Sequence, residues 1–316
     1  MPVIHTSGPK VNEPFFNSRF YRTEDGATLP LRQWLPDSTP KAVLVALHGF
    51  NDYSAFFDRP GTYLKTQGVA SYAYDQRGFG AAPKRGLWAG ISSYNEDLRG
   101  FVHLIRQHYP HQPIYLLGES MGGAIVITAM REAMPEVEGI ILVAPALWAR
   151  KTMPWYQTSL LWTLAHTVPW LTLTGQSVGV KASDNIDMLR ELGRDPLVIK
   201  KTRVEAINGL TDLMDAAYDS ANNLDVKALI LYGENDELIP KKATYDFLER
   251  FLSKSGPNKT VAFYREGYHM LLRDLQAVIA WKDIEAWIKL QNNVLPSGAD
   301  HRAHEVLQRK SKNKDS

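Results

Sequence analysis

Six short apolar runs, separated by stretches with helical periodicity, most restrict what this chain can fold into. The runs cover residues 43–47, 70–74, 114–117, 140–143, 228–232 and 261–264. Each has four or five residues and ends at Gly, Asp, Pro or another turn residue, which is typical of parallel strands covered on both faces. Strands that alternate with helices form an open, mostly parallel sheet with right-handed crossovers. We therefore predict an α/β fold with helices on both faces of the sheet.

The stretch SSYNEDLRGFVHLIRQHYP, between the second and third runs, predicts an amphipathic helix. Ser93 and Glu96 have the spacing of a capping box, which predicts that this helix begins near Ser93. Further helices are predicted at residues 121–130, 242–251 and 275–288. Ahead of the sheet, the Asp25-Gly26 pair predicts a tight turn between two antiparallel strands.

The interval between Pro145 and Asn223 breaks the alternation of strands and helices. It holds several tryptophans and leucines, and an unstructured loop of this length is abnormal in a compact domain. We interpret residues 146–223 as a helical cap inserted into a core formed by residues 15–145 and 224–291. Residues 1–14 and the polar, basic stretch 292–316 lack periodicity and are predicted to be flexible tails.

Composition narrows the class of function. The 36 Lys and Arg against 34 Asp and Glu give a net charge of +2 without a long block of one sign, so no nucleic-acid partner is expected. The absence of cysteine excludes disulfides, thiolate zinc sites and cysteine nucleophiles. No apolar run approaches the roughly 18 residues that span a membrane, and the first twenty residues contain no apolar stretch typical of a secretory signal. We expect a cytoplasmic protein, with export of a processed form left open.

A Gly-x-Ser-x-Gly pattern at residues 118–122 marks Ser120 as a candidate nucleophile. The pattern follows an apolar strand and opens a helix of small and apolar residues, the setting in which a strained turn lifts a serine hydroxyl above a sheet. A second copy surrounds Ser177, but the residues that follow it are polar and predict no apolar helix. We assign Ser177 to a loop of the cap and Ser120 to the nucleophile position.

A serine hydroxyl needs a base to take its proton and a carboxylate to fix the tautomer of that base. For a serine on such a turn, the acid and then the histidine follow later in the chain, each after a strand. Asp236 follows the run at 228–232, in competition with Glu234 and Glu237. Of the nine histidines, His269 has the required chain order, because it follows the run at 261–264.

His48 and Gly49 end the first core strand, where backbone amides can point toward a developing oxyanion. We predict two donors, the backbone N–H groups of Phe50 and Met121. Gly49 allows a close approach, and the His48 side chain is expected to hold the loop together. This chemistry requires no cofactor and no metal ion.

The combination of LHGFNDYS, YDQRGFGAA, LLGESMGG, LYGENDELIP and GYHMLL resembles the α/β-hydrolase superfamily. Within it the chain is similar, over about residues 15–290, to the monoglyceride lipase and lysophospholipase group, also labelled serine aminopeptidase-like. The resemblance implies an esterase acting on monoacyl lipids through an acyl-enzyme. It also implies the roles of its site residues: a triad of Ser120, Asp236 and His269, with Phe50 and Met121 as oxyanion donors.

The resemblance also leads to predictions for two further features of the shared motifs, Arg77 and Phe50. Arg77, in the loop Asp75-x-Arg77-Gly78-x-Gly80, is expected to be structural and to hydrogen-bond backbone carbonyls. Phe50 stands where monoglyceride lipases usually carry a small residue, which predicts an altered acyl or alcohol pocket.

The apolar cap favours a lipid ester as the small-molecule substrate, because an acyl chain binds by burying apolar surface. Some cap residues are expected to touch a membrane surface transiently. Three catalytic alternatives stay open: a thioesterase, a generic short-chain esterase, and an aminopeptidase in which Asp184, Asp187 and Glu191 bind the substrate amine. A non-catalytic binding protein with this fold is least favoured, because it gains nothing from a complete triad.

Overall fold

The computed structural model describes residues 2–131, 136–174, 179–220, 224–253, 259–290 and 294–314. Ser177, at the centre of the second Gly-x-Ser-x-Gly pattern, lies outside the described residues. The strands are β1 (Phe15–Phe16), β2 (Phe20–Arg22), β3 (Thr28–Trp34), β4 (Ala42–Leu47), β5 (Val69–Tyr74), β6 (Ile114–Glu119), β7 (Gly139–Val143), β8 (Thr172–Thr174), β9 (Lys201–Arg203), β10 (Ala228–Gly233) and β11 (Lys259–Tyr264). The α-helices are α1 (Asp58–Thr66), α2 (Ile91–His108), α3 (Met121–Ala129), α4 (Trp155–Thr167), α5 (Ile186–Arg194), α6 (Val204–Ser220), α7 (Lys241–Ser253), α8 (Ala277–Leu290) and α9 (Ala299–Lys314).

Nine strands form one sheet in the order β1-β2-β3-β5-β4-β6-β7-β10-β11. The six strands from β5 to β11 in this order run parallel, and β1, β2 and β3 add an antiparallel edge. Every residue of β4, β5, β6, β7 and β10 is buried, as expected for strands with helices on both faces. The six apolar runs are the six parallel strands, and the predicted α/β fold is confirmed.

Helix α3 packs unusually close to the sheet because Gly122 lacks a side chain. A Cβ atom on Gly122 would lie 2.3 Å from the carbonyl oxygen of Leu47 in β4, which is too close for non-bonded atoms. All nine residues of α3 are buried. The glycine therefore sets the position of the N-terminus of α3, which directly follows Ser120.

Helix α2 begins at Ile91 with Gly90 before it, so the prediction of a capping box at Ser93 is wrong. Ser93 lies inside the helix, and its hydroxyl accepts a hydrogen bond of 2.8 Å from the Ser7 amide. The Glu96 carboxylate accepts one of 2.8 Å from the Ser7 hydroxyl. Both side chains bind the N-terminal segment instead of capping the helix.

The two ends of the chain contact the core. Residues 2–14 form neither helix nor strand, but the Val11 amide donates to the Glu24 carbonyl at 2.8 Å. The prediction of a tail after residue 291 is wrong for residues 299–314, because they form α9 against β11. Ala303 is buried there, and Val306 and Leu307 pack against the core. This short apolar stripe has helical spacing. It is enough to hold α9 on the sheet because it packs against the edge strand β11.

Between β7 and β10 the chain forms α4, β8, α5, β9 and α6. Helix α6 contacts α3, and β8 pairs antiparallel with β9, a ribbon that the sequence did not predict. Ala165 is the one buried residue of α4. Nothing in the described part of the chain is a helix long and apolar enough to cross a lipid bilayer.

Candidate active site

Ser120 occupies a strained turn between β6 and α3. Its φ of 52° and ψ of −113° are rare for a residue with a side chain. The turn is held by its own backbone, because the Ser120 amide donates to the Val143 carbonyl at 2.9 Å and the Ser120 carbonyl accepts from the Ala146 amide at 2.9 Å. The side chain is thereby presented at the carboxyl edge of the parallel sheet.

Asp236 and His269 form a buried pair after β10 and β11. Nδ1 of His269 lies 2.8 Å from Oδ2 of Asp236. Oδ1 of Asp236 accepts the backbone N–H groups of Leu238 at 2.8 Å and Ile239 at 3.1 Å, which orients the carboxylate toward the ring. Nδ1 therefore carries the proton in the neutral ring, and Nε2 is the ring nitrogen whose lone pair can act as a base.

The two competing carboxylates have other partners. Glu234 pairs with Arg302 of α9, and Glu237 accepts a hydrogen bond of 2.8 Å from the Lys181 amide. Asp236 is the carboxylate of the three that contacts His269 in this structure.

The environment of His269 raises its pKa above the ordinary value near 6.5. Burial acts to lower the pKa, but the charge and hydrogen bond of Asp236 outweigh it, and the charge of Glu119 adds to the increase. Arg273 opposes this increase. The net effect is a histidine that binds a proton more strongly than a histidine in water.

The loop after β4 lies directly against Ser120. A Cβ atom on Gly49 would be 3.3 Å from the Cβ of Ser120, so glycine permits this approach without crowding the serine. Phe50 follows Gly49, and Met121 is the first residue of α3, where a backbone amide has no partner within its helix. The Phe50 ring packs edge-on against Phe79, with ring centroids 5.6 Å apart.

The His48 side chain joins two loops at the edge of the sheet. Nδ1 lies 2.8 Å from the Gly49 carbonyl, and Nε2 accepts the Gln76 amide at 2.9 Å, which assigns the proton to Nδ1. Burial lowers the pKa of His48, so the ring is neutral. The Gln76 side chain returns a hydrogen bond of 2.9 Å to the His48 carbonyl. Gln76 was missed by the sequence reasoning, although it stands in the YDQRGFG motif.

Arg77 is structural, but its expected partners were wrong. Nε donates to Asp97 at 2.6 Å, and Nη2 donates to Asp25 at 2.7 Å and to the Thr23 hydroxyl at 3.2 Å. The partners are carboxylates and a hydroxyl because a buried guanidinium requires compensating charge.

Three charged residues beside the candidate site were not anticipated. Nη2 of Arg273 lies 2.7 Å from Oδ2 of Asp52 and 2.9 Å from Oε2 of Glu119, and all three side chains are at least nine-tenths buried. Their only sequence signal is position: Asp52 follows Phe50 by two residues, Glu119 precedes Ser120, and Arg273 follows His269 by four.

Of the three acids expected to bind a substrate amine, two have partners elsewhere in the protein and the third, Glu191, is exposed. Asp184 accepts the Leu275 amide at 2.9 Å, and Asp187 pairs with Arg190 while its side chain stays 86% exposed. Among the described residues, no group of three or more His, Asp or Glu side chains is arranged to hold a metal ion.

Comparisons with known proteins identify the family and the fold of the chain. The family described as serine aminopeptidase, S33, matches residues 38–276. The chain is 28% identical to a monoglyceride lipase of Rattus norvegicus over 88% of this chain and 92% of the relative, and 24% identical to a monoacylglycerol lipase of Mycolicibacterium smegmatis over 81% and 90%. Its fold matches a solved structure of a soluble variant of Saccharomyces cerevisiae monoglyceride lipase with a TM-score of 0.73 and 18% identity, covering 92% of this chain and 99% of the other. The motif-based resemblance is confirmed: the chain belongs to the serine aminopeptidase S33 family and has the α/β-hydrolase fold.

Proposed function

We propose that this protein is a serine hydrolase that cleaves the ester bond of monoacyl lipids through an acyl-enzyme. The observation that carries the proposal is the buried Asp236–His269 pair at the edge of the sheet where the strained turn presents Ser120. Loops after parallel strands meet at one edge, so a serine after β6, an acid after β10 and a histidine after β11 share a site.

The steps follow from these groups. Ser120 Oγ attacks the ester carbonyl while Nε2 of His269 takes its proton, and Asp236 stabilises the resulting imidazolium. The Phe50 and Met121 amides hold the tetrahedral oxyanion. The alcohol leaves with the proton from His269, and water then attacks the acyl-enzyme in the same way, which releases a fatty acid and regenerates the serine.

The substrate class rests on two observations. The two sequence relatives described above are named as lipases of monoacylglycerols, and they align over most of this chain. Between β7 and β10 the chain also carries many apolar side chains, which favour an acyl chain over a charged substrate. The acids required by the aminopeptidase alternative are held at other contacts or exposed.

We also propose that the surface of α4 and the segment after it contacts a membrane. Trp155, Tyr156, Leu160, Trp162, Trp170 and Leu171 are each 42–78% exposed there. A helix that is apolar on nearly all sides and still exposed is unusual in a protein that meets only water. Tryptophans bind well at the headgroup level of a bilayer, where a monoacyl lipid is found.

A substrate panel tests the proposal. We expect kcat/KM to be highest for a long-chain monoacylglycerol or a lysophosphatidylcholine and lower for acyl-CoA, a short p-nitrophenyl ester and an aminoacyl naphthylamide, all at one detergent concentration. A fluorophosphonate probe should label the wild type but not Ser120→Ala. A highest rate on the naphthylamide would contradict the ester assignment, and labelling that persists in Ser120→Ala would contradict the nucleophile.

A further inference from the structure

We propose that Arg273 is a positioning residue that, with Glu119 and Asp52, fixes the three loops of the active site relative to one another. The inference rests on the proposed function, because it concerns the same serine and histidine. The oxyanion loop is residues 48–53, the serine turn is residues 118–122, and the histidine loop is residues 265–276. Each of the three contributes one member of the ion cluster Asp52–Arg273–Glu119.

Arg273 reaches both other loops with one nitrogen. Its Nη2 donates to Asp52 at 2.7 Å and to Glu119 at 2.9 Å. The Arg273 amide donates to the Met270 carbonyl at 2.8 Å, so the side chain starts from an ordered turn directly after His269. The guanidinium carbon also lies 6.0 Å from the centre of the Phe56 ring.

Asp52 connects this cluster to the predicted oxyanion donor. Its Oδ1 accepts the Tyr53 amide at 2.8 Å, while its own amide donates to the Gly49 carbonyl at 3.3 Å. These bonds close a turn around Phe50. Moving Asp52 would therefore displace the Phe50 amide, whose direction matters only when the oxyanion forms.

The cluster is not arranged for stability alone. Three buried charged groups lose hydration, and such clusters can often be replaced by apolar residues without loss of stability. In addition, Oε1 of Glu119 and Nε of Arg273 are buried without a hydrogen-bond partner among the described residues. A buried polar group without a hydrogen-bond partner requires an explanation, and a role in catalysis is one that fits the position of these two atoms.

The same cluster places charge close to the imidazole. Three charged groups act on the pKa of His269. They are Asp236 from the loop after β10, Glu119 from the serine turn and Arg273 from the histidine loop. Asp274, also in the histidine loop, accepts the Tyr268 amide at 2.7 Å, and Lys181 contacts the Tyr268 hydroxyl at 3.2 Å. Glu119 favours the imidazolium that forms during the reaction, whereas Arg273 disfavours it.

Three variants separate the positioning role of the cluster from the effect of its charge. Arg273→Met should lower kcat by roughly 100-fold, because small misplacements of reacting groups cost about this much, with KM changed less than about 3-fold. Arg273→Lys should recover part of kcat. Glu119→Gln keeps the shape and removes the charge that favours the imidazolium, so the acid-side midpoint of kcat/KM should move to lower pH.

Arg77→Met is the matched control, because Arg77 is also buried between two carboxylates, Asp25 and Asp97, and these partners lie outside the three loops. It should lower stability without moving the pH midpoint. If Arg77→Met does not fold, Arg150→Met, between Asp212 and Asp215, serves the same purpose.

The measurements are kcat, KM and pH profiles on a neutral ester, with circular dichroism to show folding. An unchanged kcat in folded Arg273→Met, or an unmoved midpoint in Glu119→Gln, overturns the inference. If Arg273→Met does not fold, the Glu119→Gln profile decides. A wild type that hydrolyses no ester is a different result and overturns the proposed function instead.

Discussion

At the scale of single residues, Asp236 divides its two oxygens between two tasks. One oxygen accepts the amides of Leu238 and Ile239, and the other faces His269. In Asp236→Asn the amide oxygen can keep the first task, but its NH₂ group then faces Nδ1 and favours the wrong tautomer. We expect kcat to fall by roughly 10⁴-fold with little change in melting temperature. A kcat within tenfold of the wild type would contradict the assignment of Asp236.

The pKa of His269 determines how activity depends on pH. The histidine acts as a base only when neutral, so activity is lost as the pH falls through its pKa. Because this pKa is raised, mainly by Asp236 against the opposing effect of burial, the acid-side midpoint should lie above 6.5. The midpoint is measured from kcat/KM, obtained from initial rates on an uncharged ester between pH 5 and 9. A midpoint below 6.5 would show that burial dominates.

At the scale of elements, the contact between α3 and β4 depends on Gly122. Gly122→Ala places a methyl group 2.3 Å from the Leu47 carbonyl, so helix and strand must separate. We expect a loss of about 2–3 kcal/mol in the free energy of unfolding, together with loss of activity. Gly193→Ala in α5 is the control, since nothing lies within 4 Å of the added atom, and it should gain about 0.5–1 kcal/mol. Urea unfolding measures the free energy of unfolding of both variants. Equal changes in the two would contradict the close packing of α3 against β4.

Helix α9 covers the outer strand of the sheet. Ala303 is 1% exposed, so Ala303→Asp would bury an unpaired charge or detach the helix from β11. We expect a cost of about 2–4 kcal/mol, whereas the same change at the exposed neighbour His304 should cost less than about 0.5 kcal/mol. Hydrogen exchange should also become faster in β11. Unchanged exchange in Ala303→Asp would show that α9 does not protect this edge.

At the scale of the whole molecule, most of the exposed aromatic side chains among the described residues lie on α4 and the segment after it, and the proposed membrane contact can be tested there. The double variant Trp155→Ser, Trp170→Ser should reduce binding to phosphatidylcholine vesicles at least tenfold, because interfacial binding follows buried apolar area. Its kcat on a short water-soluble ester should stay within about twofold. Phe15 is 49% exposed on the edge strand β1, outside the proposed contact surface, so Phe15→Ser should bind as the wild type does. Equal losses in the two variants would contradict a specific contact surface.

Most of the core was predictable because its signals are local. The runs that became β4, β5, β6, β7, β10 and β11 are recognisable from burial on both faces, and the turn at Ser120 from two nearby glycines. The chain order of Ser120, Asp236 and His269 follows from parallel strands whose ends share an edge. Helix α9 was missed because its apolar stripe is short and becomes significant only against β11.

The sequence by itself determined the sheet, the turn at Ser120 and the order of the candidate triad, because each depends on residues close in the chain or on a general rule of topology. Only the tertiary structure decided which charges meet. Arg273 and Glu119 are 154 positions apart, and Arg77 reaches Asp25 across 52. No local sequence pattern predicts such pairs, because the two residues come into contact only when the chain has folded. The exposure of the tryptophans in and after α4 was not predictable for the same reason. Their apolar sequence resembles that of a buried helix, and only the folded structure shows that nothing in the described part of the chain covers them.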